Sequence, residues 1–184
     1  CLLHDIGKPQ TLSLDDDKFP TFYHHDKLSS ELAVKIMNNL RFSGTDIKRA
    51  AHLISNHMFN YTEEWTDAAV RRFISKVGVN NIDDLFKLRI ADQFGMTNSK
   101  IVSEKLTLFT LRINRILKKQ NAFSIRDLNI SGTDLQKECG IKKGPLIGTI
   151  LKELLETVLD DPSLNNRDAL LNIANNLGNK YTNY

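Results

Sequence analysis

Cysteine is scarce: Cys1 and Cys139 are the only two in 184 residues, which excludes a disulfide framework, and their separation matches no cysteine metal motif. A reduced, cytoplasmic compartment is the simplest expectation. No apolar run approaches the roughly 20 residues that span a bilayer, and the opening residues do not read as a charged-then-apolar leader, so no membrane partner is expected. Aromatic residues that might stack on bases are few. Trp65 sits in an acidic turn, while Phe22, Phe59, Phe73 and Phe86 read as core, so sequence-specific base reading is not indicated. Charge of either sign is nearly absent in net terms, with 25 Lys and Arg against 22 Asp and Glu. That mild basicity permits contact with nucleic acid without arguing for it.

What is present is helical periodicity. Leu28, Leu32, Ile36, Met37 and Leu40 mark one helix, and Ile47, Ala50, Ala51 and Ile54 mark another capped by Thr45. Thr66 and Asp67 cap a third that holds Ala69, Val70, Phe73 and Ile74 and stops at Gly78. Asn81 opens the Leu85–Asp92 helix, which Gly95 should end. A longer amphipathic helix carries Ile101, Leu108, Leu111 and Ile116 opposite Lys100, Arg112, Lys118 and Lys119. The pattern breaks between Gln120 and Asn129, the expected boundary between a helical domain at 1–120 and a helical tail at 121–184. In the tail, Ser131 or Thr133 starts a short helix ended by Gly140. Pro145 opens one running to Pro162, Asn166 opens the last, and Tyr181–Tyr184 reads as untethered. The fold class is all-α.

Chemistry is concentrated in a few polar groups at helix ends or on apolar faces. His4-Asp5 lies in Leu2-Leu3-His4-Asp5-Ile6-Gly7-Lys8-Pro9, where Gly7 and Pro9 read as a helix stop and Lys8 is free to reach an anion. Imidazole beside carboxylate suits a divalent metal. His25 precedes one helix, His57 ends another, and Asp92 lies on an apolar face where a lone carboxylate is costly unless paired. Taken singly, each also reads as a histidine satisfying a helix end or a solvated carboxylate. Asp15-Asp16-Asp17, flanked by Ser13 and Pro20, reads as a solvated loop. Ile141-Lys142-Lys143-Gly144-Pro145 has two even readings: a phosphate cradle at a helix start, or a corner between packed helices kept soluble by its lysines.

The order of these segments resembles the HD phosphohydrolase superfamily, and more narrowly the HD-containing bacterial tRNA nucleotidyltransferase and poly(A) polymerase family. Leu2 to Pro9, the His25 segment, Asn56-His57-Met58, Thr66 to Ile74 and Leu88 to Asp92 carry the first resemblance. Ala68-Ala69-Val70-Arg71-Arg72-Phe73, Ile130 to Leu135 and Lys143-Gly144-Pro145-Leu146-Ile147-Gly148 narrow it. The resemblance implies one divalent cation, Mg, Mn, Ni, Co, Fe or Zn, held by His4, Asp5 and Asp92 with a histidine from a helix upstream of Cys1. It implies that His25 and His57 line the same cleft, binding a second metal or contacting phosphate, and that Lys8 partners the phosphoryl group. Implied activities are hydrolysis of a phosphomonoester or cyclic phosphodiester, and CCA addition or other tRNA 3′-end processing by a nucleotide-adding head with no counterpart in these residues. The chain thus reads as the carboxy-terminal part of a longer enzyme. It further implies a tail that grips tRNA by its backbone, here Lys142, Lys143 and Gly144. A non-catalytic RNA-binding body with a vestigial HD site and a free-standing HD nucleotide phosphohydrolase are the alternatives.

Overall fold

The computed structural model describes residues 1–97, 103–119 and 122–182, and they are helical almost throughout. The one sheet among them is a two-stranded antiparallel hairpin, β1 (Ser13–Leu14) with β2 (Pro20–Thr21), whose turn holds the exposed Asp15-Asp16-Asp17 loop. The described residues form two compact units, residues 1–62 with 80–107 and residues 63–79 with 108–184. The expected division near Gln120 falls within the second, and Gln120 itself, like Lys100 and Ile101, lies outside the described residues.

In the first unit, Cys1 to Gly7 runs as successive tight turns, with His4 N–H bonded to Cys1 O and Lys8 N–H to Asp5 O. Gly7 does not stop a helix. It caps the start of the short α1 (Lys8–Thr11), because Pro9 sits in the first turn, where its missing N–H costs nothing. α2 (His25–Asn39) and α3 (Gly44–Asn56) fold back on each other, Ser30 of α2 donating to the Ala51 carbonyl of α3. Ser43, rather than Thr45, caps α3 through the Asp46 amide. The helix that carries Asp92 (Ile82–Thr97) continues through Gly95, which meets no neighbour that would force a turn.

Gly7 is the joint of this unit. Its amide donates to Ser29 Oγ at 2.9 Å, and a Cβ there would lie 2.9 Å from the Ser29 backbone nitrogen and 3.0 Å from the His25 carbonyl. Only glycine lets the His4-Asp5 turn nest against the first turn of α2.

The second unit has its own core. Thr66 caps α4 (Asp67–Val77) as expected, and Gly78, at φ 81°, ends it. The Asp92 helix that follows in the chain is α5 (Ile82–Thr97). Val70, Phe73 and Ile74 of α4 are buried, and Trp65 packs edge-on against Phe73 and Phe109. Phe109 lies on α6 (Glu104–Leu117). α7 (Gly132–Glu138), α8 (Pro145–Asp160) and α9 (Arg167–Thr182) enclose Ile130, Leu135, Ile150, Leu154, Val158, Leu170 and Ala174. Full burial of each such leucine or isoleucine contributes about 1.5–3 kcal/mol. Tyr181 is tethered, its hydroxyl donating to Glu153 of α8, whereas Asn183 and Tyr184 lie outside the described residues.

Candidate metal centre

Helix ends and turns leave backbone carbonyls without intrahelical partners, and three histidines use them in the same way. His4 Nδ1 meets Cys1 O at 2.6 Å, His25 Nδ1 meets Phe22 O at 2.7 Å and His57 Nδ1 meets Ile54 O at 2.6 Å. In every case the carbonyl belongs to the residue three positions earlier. A carbonyl only accepts, so the proton sits on Nδ1 and the Nε2 lone pair of the neutral ring is free to face inward.

The three Nε2 atoms face carboxylates. His25 Nε2 is 3.2 Å and His57 Nε2 3.7 Å from Asp5 Oδ1, while His4 Nε2 is 3.4 Å from Asp5 Oδ2 and 3.2 Å from Asp92 Oδ1. The rings pack edge to face, 5.1 Å between His4 and His57 and 5.3 Å between His25 and His57. The tightest group is His4, Asp5 and His57, each offering an atom within 4.8 Å of the others. The structure therefore brings all five expected residues, His4, Asp5, His25, His57 and Asp92, into one cluster, with His57 in its tightest group. Lys8 is there too, but its ammonium is 2.5 Å from Asp5 Oδ2 and already neutralises part of that carboxylate.

Electrostatics identify what the cluster calls for. Asp5 Oδ1 and His25 Nε2 are buried without a hydrogen-bond partner, which leaves an acceptor facing an acceptor. Either an added proton or a cation must lie between them. Burial, reinforced by the charges of His4 and His25, pushes the His57 imidazole below its usual pKa despite its bond to Ile54, so it stays neutral at pH 7. Burial opposes ionisation of Asp5, yet the Lys8 bond and the neighbouring His4 and His25 hold its carboxyl below the ordinary carboxylate range. Imidazoles that are each oriented by a carbonyl behind them and aimed at an ionised carboxylate are the donor set of a divalent transition-metal site. These residues fit the expected metal.

Two contributors escaped sequence reasoning. Arg89, one turn before Asp92 on α5, bonds Asp92 Oδ2 at 3.2 Å and holds the carboxylate toward His4; its spacing of three on one helix was the available signal. Ser29 fixes Gly7, a contact between distant segments with no local signature.

Lys142, Lys143 and Gly144 are exposed, and Gly144 directly precedes Pro145 at the first turn of α8. A Cβ on Gly144 would meet nothing within 4 Å, so the backbone there is open to an incoming group.

Residues 12–174 match the family model described as tRNA nucleotidyltransferase domain 2, a span that begins just after the His4-Asp5 turn. The chain is similar to the A-adding tRNA nucleotidyltransferase of Deinococcus radiodurans, 33% identical over 159 residues that cover 84% of this chain and 36% of that protein. It is also similar to the CC-adding tRNA nucleotidyltransferase of Thermus thermophilus, 31% identical over 157 residues, 84% of this chain and 34% of that protein. The chain thus spans about a third of the length of these curated relatives. No solved structure matches it.

Proposed function

Because the chain belongs to the tRNA nucleotidyltransferase family, we propose that it is the carboxy-terminal helical part of an enzyme that matures tRNA 3′ ends in the cytoplasm, and that residues 1–120 add a metal-dependent phosphohydrolase. The observation that carries the second claim is the buried meeting of Asp5 Oδ1 with the Nε2 atoms of His25 and His57. His4, Asp5 and His57 would hold a divalent cation, with His25 and Asp92 completing its surroundings. Such a cation, when bound, supplies Lewis-acid polarisation of a phosphoryl oxygen and a water of lowered pKa.

The chain's own groups do the rest. Cys1 O, Phe22 O and Ile54 O fix the three rings in the tautomer that binds a cation. Lys8 helps to keep Asp5 ionised, and Arg89 holds Asp92 aimed inward. Lys8, one-third exposed, is the group best placed to turn toward a phosphoryl oxygen once the cation takes over the charge of Asp5. Substrates of this chemistry are phosphomonoesters or cyclic phosphodiesters of nucleotides. In the tail, residues 121–184, the exposed Lys142, Lys143 and Gly144 before α8 would take tRNA backbone phosphates.

The test uses the full-length enzyme with manganese. Hydrolysis of a small phosphomonoester is expected to require the metal and to vanish in Asp5→Ala, while nucleotide addition to tRNA persists. Hydrolysis in Asp5→Ala at the original rate would leave the RNA-binding role alone.

A further inference from the structure

A cavity of about 240 Å³ is walled by the two segments that deliver His57 and Asp92 to the metal centre, together with the start of α6. Phe59, whose amide bonds His57 O, and the following Asn60 and Tyr61 form one side. Arg89 and Gln93, which flank Asp92 on α5, form the second, and Lys105 at the start of α6 closes the third. No carboxylate lines it among the described residues. Arg89 is held on one side by Asp92 at 3.2 Å and lies over the Phe59 ring, 6.0 Å from its centre, while Phe59 stacks on Phe86. This guanidinium is therefore fixed in place before anything binds. Lys105 is exposed and has no ion-pair partner among the described residues. Two cations, two side-chain amides and aromatic walls, with no acid among them, define a site for an anionic group that carries an aromatic ring.

From this we propose that the cavity is a subsite for a nucleotide unit next to the scissile phosphate: Arg89 and Lys105 hold a second, unreacting phosphate, and Phe59 and Tyr61 border its ribose and base. The proposal rests on the metal-centre reading above for which phosphate reacts, but not for whether the cavity binds. It makes the preferred substrate a nucleotide with two phosphates, free or at the end of an RNA strand, rather than a simple phosphomonoester. Selectivity then comes from the charge of Arg89 and Lys105 beside the centre, not from the metal ligands.

Calorimetry on the full-length protein without metal tests the cavity directly. Adenosine 3′,5′-bisphosphate is expected to bind at least tenfold more tightly than adenosine 3′-monophosphate, with Lys105→Ala erasing the difference and Lys105→Arg restoring it. Equal affinities for the two ligands in the wild type, or a difference that survives Lys105→Ala, would overturn the subsite. With manganese present, the ratio of KM values for the same pair should follow the same order. A protein that binds the bisphosphate selectively yet hydrolyses no phosphate ester sinks the phosphohydrolase reading and leaves the subsite standing. Competition by a short RNA bearing a terminal 3′-phosphate separates the sources: displacement more effective than by the free bisphosphate assigns the subsite to an RNA end, and weaker displacement assigns it to a free nucleotide.

Discussion

The largest charge clusters of the two units differ in kind, although in the first unit too Asp84 closes on Arg49 and Lys87. In the second, charges close on one another: Asp67 takes Arg112 and Arg115, Arg72 takes Glu156 and Asp160, and Arg167 takes Asp134 and Glu138. Arg71 directs its donors to the Leu159 and Asp160 carbonyls that end α8. In the first unit, three imidazoles and two carboxylates are gathered at a buried point with too few protons among them. A network that closes within the protein explains itself as structure, whereas one left open points to something the protein receives.

The comparison is broken most severely at Asp5. Asp5→Ala should weaken manganese binding by more than about 100-fold, since removing a group that only supports a ligand costs about 10–100-fold. Its melting temperature in the absence of metal should hardly fall, because the removed carboxylate leaves no buried cation unpaired but Lys8, which can swing to solvent. Titration calorimetry and thermal denaturation on the same samples measure both. A core change in the second unit should do the opposite: Leu154→Ala is expected to cost about 2–5 kcal/mol of stability with metal affinity preserved.

Gly7→Ala lies between these extremes. The new Cβ would meet backbone at 2.9 Å, so the His4-Asp5 turn must lift from α2, at about 1–3 kcal/mol. Metal affinity should fall together with stability, and chemical denaturation with and without manganese would show the two effects coupled. An alanine protein as stable and as tight as wild type would detach the glycine from the site.

The closed network has a pH signature. Burial opposes ionisation of Asp67, but Arg112, Arg115 and Arg71 together outweigh it and hold its carboxyl below the ordinary aspartate range. A carboxyl depressed in the folded state contributes stability above its unfolded pKa, and that stability fades as pH falls from about 4 through the lower folded value. Acid denaturation followed by the fluorescence of Trp65, beside Phe73, should therefore begin below about pH 4, and Asp67→Asn should flatten that dependence. The smallest effect belongs to the tail. Replacing Lys142 and Lys143 with Ala in the full-length enzyme should weaken tRNA binding modestly and lower the salt slope by about one unit for each phosphate no longer neutralised. An unchanged slope would reduce the turn to a helix corner.

How much of this was legible follows from the range of each signal. Caps act within one turn, so Thr66, Ser131 and Pro145 marked their helices correctly. Gly7 and Pro9 misled for the same local reason, since a glycine followed by proline serves a helix start as readily as a stop. Gly95 failed as a stop because a glycine within a helix weakens it without having to end it, and the helix runs on to Thr97. The convergence of His4, His25, His57 and Asp92 cannot be read from period or caps; the family resemblance suggested it. The carbonyls of Cys1, Phe22 and Ile54 that set the tautomers are main-chain atoms and leave no mark in the sequence.

Pulsed electron paramagnetic resonance of manganese(II) bound to the full-length protein tests the central claim most directly. Modulation from directly bound imidazole nitrogen is predicted, weakened in His57→Ala and abolished when His4, His25 and His57 are all replaced. A manganese ion with oxygen ligands alone, or one whose nitrogen modulation survives the triple replacement, would contradict the account.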